Sequence, residues 1–135
     1  MKILFICKHN RFRSKVAEAL FKKYAGLFHQ AKSAAVEIDL TFPYVADSVK
    51  EVLSSYGVRQ VADAPVKVSE NLVKWADKII IVANNVDAGL FPAHKTEVWS
   101  ITDCDQNDVK SIRRRVAEIN EHVLILLRSL SEKRP

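Results

Sequence analysis

The sequence predicts an α/β fold, a parallel sheet with helices packed on both faces. Three observations carry that prediction. Apolar runs of strand length alternate with apolar residues at helical spacing from end to end. The first run, Ile3 to Ile6, is nearly unbroken, as a strand buried on both faces requires. The 3 Gly and 4 Pro are scattered singly, and no charge block separates two halves, so the 135 residues are expected to form one domain over 1–135.

Each element can be justified in order. Residues 2–7 read as the first strand, and a polar loop, Lys8 to Arg13, follows. Val16, Ala17, Leu20, Phe21 and Tyr24 recur at helical spacing, and Gly26 ends that helix. Ala31 to Val36 reads as a second, weaker strand. Pro43 fits the first turn of a helix that buries Val45, Val49, Val52, Leu53 and Tyr56 and closes at Gly57. Ser69 caps a short helix carrying Leu72, Val73 and Trp75. Lys78 to Ala83 is the most strand-like segment, and Glu97 to Ile101 is a short last strand. Asp108 then caps a long helix whose Val109, Ile112, Val116, Ile119, Val123, Leu127 and Leu130 step by three and four. In such a sheet the ligand site lies at the carboxyl ends of the strands, so the informative loops are 7–14, 36–43, 84–92 and 101–108.

Composition narrows the classes of function. At 48% hydrophobic and 27% charged, the chain is globular, and no apolar run approaches the roughly 18–20 residues of a membrane span. Lys plus Arg exceed Asp plus Glu by 21 − 16 = 5, which favours anionic partners. The basic run Arg113-Arg114-Arg115 has no interleaved aromatics, so a solvated helix face is expected there and nucleic acid is not. His9, His29, His94 and His122 lack ligand-like spacing, so no metal is expected. The start of the chain does not read as a secretory signal, since Lys8, Arg11 and Arg13 follow a short apolar stretch at once. Cys7 and Cys104 are too few and too distant for a disulfide framework, so free thiols and a cytoplasmic location are expected. The stripe of the last helix is expected to serve the core, leaving a monomer or weak dimer.

The segment Cys7-Lys8-His9-Asn10-Arg11-Phe12-Arg13-Ser14 is the chemical centre of the reading. It leaves a buried strand and enters a helix. A loop wrapped at a helix N-terminus turns successive backbone N–H groups inward and forms a socket for a tetrahedral oxyanion. Arg13 adds a bidentate clamp on two oxygens. Cys7 lies at the bottom, where amides, helix dipole and guanidinium favour its thiolate. A thiolate beneath a bound phosphorus atom is an in-line nucleophile. Ser14 can donate a hydrogen bond to the sulfur and help it leave. Asn10 is a residue type that tolerates a left-handed backbone, and His9 can add charge beside the oxyanion. The expected phosphate-binding set is Lys8, His9, Asn10, Arg11, Phe12, Arg13 and Ser14. The competing reading makes Cys7 a packed thiol at a strand end and leaves Arg13 and Ser14 as an ordinary exposed helix start.

With these residues the chain resembles the low-molecular-weight protein tyrosine phosphatases and the related thioredoxin-coupled arsenate reductases. The loop of that family reads Cys-x-Gly-Asn-x-Cys-Arg-Ser. Cys7, Asn10, Arg13 and Ser14 match it, while His9 replaces Gly and Phe12 replaces the second Cys. Ala17-Glu18, Ser33-Ala34-Ala35 and Trp75-Ala76-Asp77-Lys78-Ile79-Ile80-Ile81-Val82 also resemble family segments, so the likeness spans nearly the whole chain. The resemblance implies a four-stranded parallel sheet with the phosphate-binding loop after the first strand.

It also implies a general acid. Cleaving a phosphate monoester requires a proton for the leaving oxygen. The family supplies it from an Asp-Pro pair after the last strand, and Trp99-Ser100-Ile101-Thr102-Asp103-Cys104-Asp105 occupies that place. Asp103 matches the acid, Cys104 stands where Pro is expected, and Asp105 is the second candidate. Without that Pro the loop loses a fixed backbone angle. Gln106 and Asn107 stand where the family often has aromatics, so ring recognition would fall to Phe42, Tyr44 or Phe12, each of which also reads as a packing residue. The relay cysteines of the arsenate reductases are absent, since no Cys lies between 8 and 103 and Ala83, Asn84 and Asn85 hold that region.

The expected activity is that of a cysteine-dependent phosphatase working through a phosphocysteine on phosphorylated proteins or small phosphomonoesters, without metal or organic cofactor. Inorganic phosphate and similar oxyanions would inhibit it. An arsenate reductase using an external thiol and a non-catalytic phosphate- or phosphoprotein-binding module are the alternatives.

Overall fold

A computed structural model describes residues 1–132. The domain expected over 1–135 therefore ends three residues outside them. The chain runs β1 (Lys2–Cys7), α1 (Arg13–Ala25), β2 (Gln30–Ala35), α2 (Asp47–Ser55), α3 (Glu70–Trp75), β3 (Lys78–Val82), two short 3-10 turns (Ala88–Leu90 and Ala93–Lys95), β4 (Thr96–Trp99) and α4 (Val109–Glu132). The four strands pair in the order β2-β1-β3-β4, and every pairing is parallel.

The apolar run of β1 is explained by burial on both faces. Ile3 and Phe5, with Ile80 and Val82 of β3, face a core completed by Val16, Leu20 and Phe21 of α1, Leu53 of α2, and Ile112, Val116, Ile119 and Val123 of α4. Leu4 and Ile6, with Ile79 and Ile81, face the opposite layer, which Leu72 and Val73 of α3 help to cover. The two-residue alternation of the strands and the three-to-four spacing of the helices thus meet in two cores on one sheet.

Several expected boundaries move. The segment around Pro43 is not the first turn of α2, which starts at Asp47 after an extended Ala46. The Asp39 carboxylate instead accepts from the Thr41 and Phe42 N–H groups and holds this stretch as a loop. The last strand ends at Trp99, two residues before Ile101, although Ile101 is itself buried. Val109, expected in the buried stripe of α4, is 42% exposed and lines the cleft described below, while Leu126 is buried instead. Ser69 does cap α3, accepting from the Leu72 N–H, and Asp108 accepts from the Ser111 N–H at the start of α4. The bond from the Ser111 hydroxyl, with that from its N–H, holds the Asp108 carboxyl below its ordinary value. Gly57 ends α2 at φ +82°, a backbone that side chains rarely adopt.

The strand order places the site. The chain steps from β1 out to β2, then crosses β1 to reach β3. The loops after β1 and β3 therefore diverge at a topological switch point, where a parallel sheet opens a crevice for ligands.

Candidate active site

Cys7 ends β1, and its Sγ is buried beneath the loop that leads into α1. Asn10, at φ +51°, is the one non-glycine residue with positive φ among those described. This turn brings its backbone N–H to 3.3 Å from the Cys7 sulfur. The short side chain of Asn repays the unusual backbone by bonding on all sides. Its Oδ1 accepts from the Val66 N–H at 2.9 Å, and its Nδ2 donates to Ser14 Oγ at 2.7 Å and to Ser33 Oγ at 2.9 Å.

These bonds settle which way the protons point. The Val66 N–H can only donate, so the Asn10 oxygen faces it and the amide nitrogen faces the two serines. Ser33 Oγ lies 2.5 Å from the carboxylate of the buried Glu18, which can only accept, so Ser33 donates there and accepts from Asn10. Ser14 likewise accepts from Asn10, and its hydroxyl lies 2.9 Å from the Cys7 sulfur, to which it donates when that sulfur is a thiolate. Glu18 is tied in turn to Lys22 at 2.6 Å. The competing reading of Ser14 and Arg13 as an exposed helix start does not hold: Ser14 is fully buried and Arg13 is 2% exposed.

The Arg13 guanidinium is clamped by two other loops. One nitrogen donates to the Ile101 carbonyl at 2.8 Å and the other to Asn85 Oδ1 at 3.0 Å. Asp103 lies 4.0 Å from the same guanidinium, with its side chain 47% exposed. Cys7, Asn10, Arg13 and Asp103 wall a socket of about 30 Å³, joined by His9, Arg11, Phe12 and Gln106. The socket opens beside a larger cleft of about 930 Å³, and Asp103 and Gln106 line both.

The remaining loop residues take different places. Lys8 pairs loosely with Glu37 at 3.9 Å, and His9 Nδ1 lies 3.3 Å from the Glu37 carbonyl oxygen. Arg11 reaches into the cleft, where its Nε donates to the Tyr44 carbonyl and its guanidinium lies 5.1 Å from the Phe42 ring centre and 5.9 Å from that of Tyr44. The Phe12 side chain turns into the core, as its packing reading expected. Phe42 and Tyr44 do not: they are 46% and 45% exposed and form an aromatic wall of the cleft. Asp105 accepts from the Asn107 N–H and lines the cleft but not the socket. Cys104 packs partly against the core, and burial pushes its thiol up to about 11. Both cysteines are free thiols. Among the described residues no cluster of His, Cys, Asp and Glu could hold a metal ion.

Three contributors carried no assigned role in the sequence. Asn85 meets Arg13, Glu18 anchors the serine chain, and the buried Lys15 donates to the Ala64 carbonyl and so ties the strap before Val66 to α1. Burial lowers the Lys15 pKa, with the Glu18 charge opposing that shift. Asn85 had a positional signal, since it follows the buried strand β3 at the sheet's carboxyl edge. Glu18 had only its place in the Ala17-Glu18 segment that resembles the family, and Lys15 had no signal, because polar residues on a helix are expected in water.

The family model for low molecular weight phosphotyrosine protein phosphatase matches residues 2–135. No curated protein matches the chain. Among solved structures, an arsenate reductase from Archaeoglobus fulgidus DSM 4304 is 32% identical, over 92% of this chain and 97% of that one, with a TM-score of 0.76. A low molecular weight phosphotyrosine phosphatase from Vibrio cholerae O395 superimposes with a TM-score of 0.86 at 20% identity, over 98% of both chains. The YwlE arginine phosphatase from Geobacillus stearothermophilus gives a TM-score of 0.85 at 20% identity, over 98% of this chain and 94% of that one.

Proposed function

We propose that this chain, which belongs to the low molecular weight phosphotyrosine protein phosphatase family, hydrolyses aryl phosphate monoesters of the phosphotyrosine type through a phosphocysteine. The observation that carries the reading is the buried Cys7 sulfur, which receives hydrogen bonds from Asn10 and Ser14 under a socket closed by Arg13 and Asp103.

In the first step the Cys7 thiolate attacks phosphorus. The sulfur–phosphorus bond forms and the ester bond breaks, while Asp103 gives its proton to the leaving oxygen. Arg13 and the loop amides of residues 8–14 hold the equatorial oxygens. In the second step water attacks the phosphocysteine and gives a proton to the Asp103 carboxylate. The thiolate departs onto the Ser14 hydroxyl and the Asn10 N–H, and inorganic phosphate is released. The chemistry is complete without a metal or organic cofactor.

Phe42 and Tyr44, set edge to face, supply aromatic surface for the substrate ring, which supports aryl over alkyl esters and admits phosphorylated proteins as well as small phosphomonoesters. The same socket favours inhibition by phosphate and similar oxyanions. Two free thiols support a cytoplasmic location, and no described helix is long and apolar enough to cross a membrane. The use of the α4 stripe inside the core supports a monomer or weak dimer.

The test is hydrolysis of phenyl phosphate by the purified protein and by Cys7→Ser. The variant should lose turnover yet keep phosphate binding, because Asn10, Arg13 and the loop backbone remain. Retained turnover in Cys7→Ser would remove the sulfur from the mechanism.

The likeness to an arsenate reductase favours a second reading, reduction of arsenate at Cys7 with electrons from an external thiol. Arsenate consumption with glutathione or thioredoxin, with and without Cys104, decides between the two. The phosphatase reading expects no thiol-dependent reduction.

A further inference from the structure

Asp103 lines both the socket and the larger cleft. It gives its proton to the ester oxygen, so the group carried by that oxygen emerges into the cleft, and the lining of the cleft describes what that group is. The cleft holds about 930 Å³, near the upper end of the roughly 300–1,000 Å³ of pockets that enclose a drug-sized ligand. One phenyl ring against Phe42 and Tyr44 leaves most of it unfilled. The charge of its wall is opposite to that of the chain. The protein carries a net +5, yet five aspartates, Asp39, Asp47, Asp63, Asp103 and Asp105, line the cleft against two cations, Arg11 and Lys50, and His9. Both cations are committed: Lys50 meets Asp63 at 2.8 Å, and Arg11 lies on the aromatic wall, bonded to the Tyr44 carbonyl. Asp39 accepts from the Thr41 and Phe42 N–H groups and Asp105 from that of Asn107, while Asp47 starts α2. None of these three is ion-paired among the described residues. With the acid and the Lys50–Asp63 pair set aside, three carboxylates from three separate stretches of chain stand against Arg11.

We propose that the cleft receives a protein segment in which lysine or arginine lies close in sequence to the phosphorylated tyrosine. The inference rests on the phosphatase reading above and names its substrate class. The socket takes the phosphoryl group, Phe42 and Tyr44 take the ring, and Asp39, Asp47 and Asp105 face the flanking cations. An acidic segment, or the polyanionic backbone of a nucleic acid, meets repulsion from the same carboxylates. Charge of this kind selects and steers a partner more than it tightens the complex, and salt screens it. The net charge of the chain alone favours acidic partners, so the cleft and the whole molecule make opposite predictions.

Three probes test it: a peptide with arginine on both sides of phosphotyrosine, the same peptide with glutamate in place of arginine, and blocked phosphotyrosine amide alone. At low ionic strength kcat/KM should favour the arginine peptide over the glutamate peptide by about tenfold or more, with the amide between them. The gap should shrink to about twofold in about 0.5 M salt, because exposed charges are screened there. Asp39→Asn combined with Asp47→Asn keeps the side-chain oxygens and removes two charges, and the ratio of the two peptides should fall several-fold. Partial loss of folded protein does not move a ratio. A glutamate peptide that matches or outruns the arginine peptide overturns the proposal, as does an amide as good as the arginine peptide or a preference that the double variant leaves intact. Enzyme that hydrolyses nitrophenyl phosphate and neither peptide overturns it too, whereas enzyme that hydrolyses none of these esters overturns the phosphatase reading on which it rests.

Discussion

The two loops that make the site are built in opposite ways. In residues 7–14 the Asn10 side chain is fully bonded, to Ser14 within the loop and to Ser33 and Val66 outside it, and the Asn10 N–H and Ser14 hydroxyl lie within bonding reach of the Cys7 sulfur. In residues 101–108 the candidate acid is about half exposed, and its closest tie is a 2.9 Å bond to the N–H of the next residue. The first loop is a rigid binding device, assembled before substrate arrives. The second is pinned to Arg13 through the Ile101 carbonyl at 2.8 Å, but its acid is lightly held, the Asp103 carboxylate lying 4.0 Å from the same guanidinium. Oxyanion binding and leaving-group protonation should therefore fail separately when the two loops are altered.

The largest separation is expected at Asp103. Asp103→Asn should cost on the order of 10²–10⁴ in kcat with phenyl phosphate, the scale of general acid catalysis, and much less with nitrophenyl phosphate, whose phenolate departs unprotonated. Phosphate inhibition should stay unchanged. Asp105→Asn is the control; if it shows the leaving-group dependence and Asp103→Asn does not, the acid is the other aspartate.

On the socket side, Arg13→Lys keeps the charge but loses the fork that meets Ile101, Asn85 and two phosphoryl oxygens. A loss on the order of 10²–10³ in kcat is expected for every leaving group alike, as for removal of an oxyanion donor, with weakened phosphate inhibition. A loss that varied with leaving group would tie Arg13 to the acid loop instead.

Glu18→Leu asks whether the rigidity of the first loop reaches the sulfur. Removing the acceptor that directs Ser33 should lower kcat about tenfold, the equivalent of one hydrogen bond of about 1–1.5 kcal/mol. In a Ser14→Ala background the same change should cost little, because the chain then ends before the sulfur. Additive losses would show that Glu18 serves the fold alone.

The smallest effect is expected at Cys104. Cys104→Ser should change kcat by less than about twofold, since its thiol turns from the acid loop toward the core without lining the socket. With Cys7 replaced by Ser, alkylation of the remaining thiol should be slow at pH 7 and rise about tenfold per pH unit toward 11, following its thiolate fraction. The sign for stability follows from the same shift. The folded state holds the proton more tightly than the reference thiol at 9.0, so this contribution is intact below pH 9 and is lost as pH rises from 9 to about 11. Rapid alkylation of Cys104 near pH 7 would contradict its burial.

The sequence alone determined the parallel sheet and the position of the socket. Ile3 to Ile6 and Ile79 to Val82 are apolar without interruption, which only a strand covered on both faces tolerates, and the Cys-x5-Arg-Ser loop sits where such a strand gives way to a helix. Those signals are local, carried by neighbours in the chain. What the tertiary structure decided lies between residues far apart: Asn85 and Ile101 on Arg13, Val66 on Asn10, Ser33 between Asn10 and Glu18, and the place of Phe42 and Tyr44 in a cleft wall. Hydrogen bonds of this kind have no periodicity for a sequence to display. They form because burial leaves each polar group one partner within reach, and that partner is fixed only when the strands are in register.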